Sequence, residues 1–165
     1  MKKALTKKSN YIVLLLVLLL AGCFALCACD QQGGEQVSST QNFYDTVKES
    51  QEYLDRIGDA IYSCWYDAIY NDKYSGNINA AIAYARVSNS DAIDKVEEND
   101  SLIKDYFSDA KNASCGDKVK TVMSAYSDYY EFIINVSGSF SSYSKDKETK
   151  KKALASALRE LSYEL

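Results

Sequence analysis

QNFYDTVKESQEYLDRIGDAIYSCWYDAIY, residues Gln41–Tyr70, is the stretch on which the fold turns. Phe43, Val47, Ser50, Leu54, Ile57, Ile61, Cys64 and Ala68 recur in it at alternating steps of four and three. That rhythm brings side chains onto one face of an α-helix. It is a heptad-like seam broken only by Ser50, and Trp65 and Ile69 widen it near its end. A helix with such a face must bury it against other helices.

The partners lie downstream. NDKYSGN (71–77) carries turn residues, and Ser75 or Asn77 is placed to cap a second helix. Ile78, Ile82 and Ala85 share a face there. RVSNSD (86–91) interrupts, because serines compete for backbone groups inside a helix. Ile93, Val96, Ile103, Phe107 and Ala110 then make a second stripe, with Asp100 as a blemish in it. The pattern fits one kinked helix or two joined ones, ending near Lys111. Gly116 marks a turn, with Asp117 as the expected cap of a helix to Asn135. That helix presents Val119, Val122, Met123, Tyr126, Tyr130 and Ile133. The serine-rich residues 136–146 read as a loop. A last helix over 147–163 uses Leu154, Ala157, Leu158 and Leu161.

No strand pattern competes, no internal repeat is visible, and there is no proline. The expectation is an all-α, antiparallel up-down bundle of three to four helices over 41–165. Fourteen tyrosines, against five phenylalanines and one tryptophan, suit the wet rim of such a bundle.

The chain upstream is of another kind. MKKALTKKSN carries four lysines and no acid, and YIVLLLVLLLAG follows without a charge. This is the order of an export signal. At its end stands Leu20-Ala21-Gly22-Cys23, which resembles the lipobox of bacterial lipoproteins. The resemblance implies a signal peptide over 1–22, cleavage before Cys23 and acylation of its thiol. Leu26-Cys27-Ala28-Cys29 fits the same pattern more loosely, so Cys29 is the alternative lipidation site. An uncleaved membrane helix is the other reading, since Tyr11–Cys29 is uncharged and about 20 apolar residues suffice to span. Either way the lysines stay inside and the rest lies outside the cytoplasm. DQQGGEQVSST (30–40) reads as polar tether, so residues 23–40 would form a lipid-anchored linker. YYEFIINVSGSFSSYS (129–144) is similar to segments of small helical lipoproteins, a likeness that brings no activity with it.

Composition narrows the function. Loss of the signal removes four lysines and no acid, taking the formal charge from −4 to −8. Such a surface argues against nucleic acid, whose phosphates need basic patches. With no histidine the commonest metal ligand is missing, and Cys27-Ala28-Cys29 is too tight for zinc. Glu97-Glu98-Asn99-Asp100 lacks the glycine turn of a calcium loop. Cys115 and the serines have no histidine to act as base, and no phosphate-cradling glycine loop occurs. No catalytic residue, metal or cofactor is therefore assigned. Tyr62, Tyr66 and Tyr70 step by four along the first helix, with Tyr74 just beyond, and form the candidate face for a ligand or partner.

These features lead to a non-enzymatic binding module, lipid-anchored to the bacterial cell membrane. Its partner would be another envelope protein or a wall component. The alternative is a small-ligand or glycan receptor using a tyrosine-lined groove. A glycan hydrolase working through paired carboxylates ranks behind both. Cys64 and Cys115, the thiols of the folded part, are expected at opposite ends of the bundle and unbridged.

Overall fold

The computed structural model describes residues 31–165, with side chains from 39 onward. The signal, Cys23 and Cys29 lie outside the described residues. The packed unit is Val37–Leu165 and holds the core. It is all-helical: among the described residues there is no strand. The helices are α1 (Gln31–Tyr70), α2 (Ile78–Val87), α3 (Ser90–Ala110), α4 (Gly116–Ile134) and α5 (Phe140–Ser162). A 3₁₀ turn, Lys73–Gly76, joins α1 to α2.

The seam of α1 forms the core as its spacing predicts. Phe43, Val47, Leu54, Ile57 and Ile61 are at most 1% exposed, and Trp65 and Ala68 are buried. Ile93 and Phe107 of α3, and Met123 and Tyr130 of α4, pack against this core only partly buried. Ile69, expected to widen the stripe, is exposed instead. So is Ile78, because α2 packs through Ala81 and Ala85. Tyrosine is not confined to the rim: Tyr126, Tyr129 and Tyr143 are fully buried. Each finds a polar partner for its hydroxyl, which is what lets a phenol enter a core.

Boundaries differ from expectation in three places. α1 is already helical at Gln31, the first described residue, ten residues before the expected start and inside the segment read as a tether. Extending a formed helix fixes one residue per hydrogen bond, and Thr40 is already buried in the packed unit. Of the two forms expected for the second segment, one kinked helix or two joined ones, the structure shows two, α2 and α3, separated at Ser88 and Asn89. Asn77 caps α2 by accepting the Ala80 amide, while Cys115, not Asp117, holds the cap position of α4. α5 starts at Phe140, seven residues early, because Ser139 and Ser142 form a reciprocal capping box.

Contacts between helices run in a consistent order. Phe43 meets Phe107 at 6.1 Å between ring centroids, whereas Arg56 pairs with Asp91 at 2.6 Å, so α1 and α3 meet in opposite chain order. Ser50 meets Tyr126 and Asp55 meets Tyr129, so α1 and α4 meet in the same order. α5 opposes both: Asp55 pairs with Lys151, Asp59 with Lys147, and Lys118 with Glu164. Gly58 permits the close approach of α1 to α4 and α5. A Cβ there would lie 2.8 Å from Ile133 Cδ1 and 3.3 Å from Lys147 Cδ. Gly116 lets the chain turn into α4, since a Cβ there would collide with the Lys111 carbonyl oxygen.

Cys64 and Cys115 are free thiols. Cys64 lies near the C-terminal end of α1. Cys115 precedes α4, whose Tyr126 is level with Ser50.

Candidate functional site

The tyrosines of α1 step by four residues, so their rings stack up one flank of the helix. Tyr62, Tyr66 and Tyr70 do come together, and Phe140 at the start of α5 is what gathers them. Its ring lies 5.0 Å from Tyr62, 6.1 Å from Tyr66 and 6.2 Å from Tyr70, centroid to centroid. Tyr66 and Tyr70 are 4.7 Å apart. Exposure grows outward along the row: Tyr62 is half-buried, Tyr66 is 42% exposed and Tyr70 62%. Ile69, on the same flank, is also exposed.

Behind the row stands a second layer. Trp65 packs 6.0 Å from Phe140 and 5.5 Å from Tyr143, and Phe132 stacks on Tyr143 at 5.0 Å. The Trp65 indole N–H is buried without a hydrogen-bond partner among the described residues. Lys147 runs beneath the face with its side chain only 8% exposed. Its ammonium pairs with Asp59 and sits 5.4 Å from the Tyr62 ring. Sequence reasoning missed both Phe140 and Lys147. Phe140 lies in an expected loop, and a lysine is counted as surface although its stem can pack like a hydrocarbon.

Tyr74 does not join the face. It packs 5.5 Å from Tyr84 of α2, and its hydroxyl donates to the Cys64 sulfur at 3.3 Å. That hydrogen bond first, and desolvation second, push its phenol up to about 12. The turn that places it is strained. Asp72, Tyr74 and Ser75 all have positive φ, a conformation that non-glycine residues adopt at a cost.

Asp55 and Asp59 of α1 link it to other helices. Asp55 accepts the Tyr129 hydroxyl at 2.7 Å and pairs with Lys151 at 2.9 Å. Burial above all, then the Asp55 hydrogen bond, raises the Tyr129 phenol well above its ordinary value. Two grooves of about 490 Å³ each lie between α4 and α5, sharing Thr121, Ala153 and Ala157. None of the four tyrosines lines either. Among the described residues no cluster of acids and thiols could hold a metal ion, and no helix is long and apolar enough to cross a membrane. Searches of family models, of curated proteins and of solved structures return no match for this chain.

Proposed function

We propose that this protein is a non-enzymatic interaction module, an antiparallel up-down helical bundle held outside the bacterial membrane by a lipid on Cys23. The opposite contact orders of α1 with α3 and α5, and the shared order with α4, support the up-down arrangement. The observation that carries the role is the exposed aromatic row Tyr62–Tyr66–Tyr70 backed by Phe140. Tyrosine supplies large rigid contact area at low entropic cost and is enriched where proteins bind partners. The row ends at Tyr70, about 50 Å of helix from Val37 at 1.5 Å per residue.

The rings pack on Phe140 and line neither of the two grooves between α4 and α5. This favours a flat protein contact over a small-ligand groove. The test is photo-crosslinking in the native cells with a photoreactive phenylalanine at Tyr70, and a control at Leu102 on α3. A discrete adduct from position 70, absent from 102 and lost with Tyr66→Ser, is expected. Identical adducts from both positions would sink the assignment.

A further inference from the structure

Ser50 breaks the α1 seam in sequence, yet it is fully buried, and its hydroxyl donates to the Tyr126 hydroxyl at 3.4 Å. Tyr126 is fully buried on α4. The α3 stripe has its own break at the same level. Asn99, not Asp100, is the buried polar residue there, 4% exposed, and its side-chain N–H₂ has no hydrogen-bond partner among the described residues. The level is set by the contacts on either side. On α1, Ser50 lies between Phe43 and Arg56; on α3, Asn99 lies between their partners Phe107 and Asp91. Three helices thus contribute one buried polar side chain each to one layer.

On α1 and α3 the neighbouring layers are apolar, while on α4 Tyr126 stands between Val122 and the buried Tyr129. Val47 and Leu54 flank Ser50, Val96 and Ile103 flank Asn99, and Val122 precedes Tyr126, all of them buried. A seam of this kind, repeated in steps of three and four, accepts a partner helix displaced by one heptad, about 10 Å, almost as well as the native one. The ion pair at the rim, Arg56 with Asp91, is exposed and discriminates weakly. A displaced α3 would set Asn99 against Phe43 or Ile57 and bring Ala92 or Tyr106 to the Ser50–Tyr126 pair. The Ser50–Tyr126 pair stays bonded, but the Asn99 amide is moved away from it into wholly apolar surroundings, which is expensive. Burying an unpaired amide is already unfavourable in the native packing, so stability alone does not explain the layer.

We propose that Ser50, Asn99 and Tyr126 form a polar layer that fixes the register of α1, α3 and α4 at some cost in stability. The test uses the full chain in detergent, with Ser50→Val, Asn99→Leu and Tyr126→Phe combined. Trp65, the chain's one tryptophan, is labelled with fluorine as the reporter of packing around α1. The combined variant should melt at or above the wild-type temperature and show a second fluorine signal from an alternative packing. One signal at the wild-type position would overturn the proposal, and so would a lower melting temperature. Should the combined variant fail to fold, Asn99→Leu alone decides. It should melt above wild type, by about 2 °C or more. Melting at or below wild type would mean that the amide is satisfied in place and the layer serves stability instead.

Discussion

Ile61 and Ile69 stand eight residues apart on α1, and sequence periodicity assigns both to the buried stripe. The structure separates them: Ile61 is fully buried and Ile69 is 42% exposed. Substituting each with alanine removes the same atoms. At position 61 three carbons are lost from the core, about 2.4 kcal/mol at roughly 0.8 kcal/mol per methylene. The enclosed cavity adds to this, within the overall range of about 2–5 kcal/mol for such truncations. We expect about 3 kcal/mol for Ile61→Ala. At position 69 roughly half the transfer term applies and no enclosed cavity forms, so the expected loss is about 1 kcal/mol or less. Urea unfolding monitored by far-ultraviolet circular dichroism, with Trp65 fluorescence as a second probe, measures both. The informative quantity is the difference, about 2 kcal/mol, because it cancels errors common to the two. Equal losses would show that the α1 face is rotated from the one described.

The tyrosines and the caps give further outcomes. Burial raises the phenols of Tyr126, Tyr129 and Tyr143 in the folded state, so they stay protonated where the unfolded chain ionises. Their contribution is therefore whole below the unfolded value near pH 10 and is lost as pH rises further, by up to about 1.4 kcal/mol per pH unit for each. Ultraviolet titration should show most of the fourteen tyrosines ionising reversibly and these three only on unfolding. A single smooth titration of all fourteen in folded protein would contradict the burial. Ser139→Ala removes the capping box of α5 and should cost about 1 kcal/mol, read from the urea midpoint. Asn77→Ala should loosen α2 by a similar amount, visible as faster amide exchange at Ala80 and its neighbours.

The core of α1 is legible because a 3–4 spacing of large aliphatic residues has few interpretations besides a buried helical face. The ends of helices are less so. Ser139 and Ser142 look like loop composition, and only their three-residue spacing signals a cap. Gln31–Thr40 is polar and contains two glycines, and its helicity depends on the helix that continues from it. Ile69 and Ile78 show the limit of periodicity: it gives an angular position, while burial also needs a neighbour at that height. At the aromatic face the four-residue step of Tyr62, Tyr66 and Tyr70 is plain. Phe140 and Lys147 come from α5, some seventy or more residues later, and contacts of that separation leave no local trace in the sequence. Asp100 catches the eye in the α3 stripe, yet Asn99 is the buried one, because one residue's difference in helix phase decides between two adjacent polar side chains.

Location and role both rest on the lipid anchor, and the mature N-terminus tests it directly. The protein is extracted from membranes of its native cells and its N-terminal peptide is analysed by mass spectrometry. The expected product is a chain beginning at Cys23 that carries a thioether-linked diacylglycerol. An uncleaved N-terminus, or a mature chain whose Cys23 thiol is unmodified, would contradict the anchor.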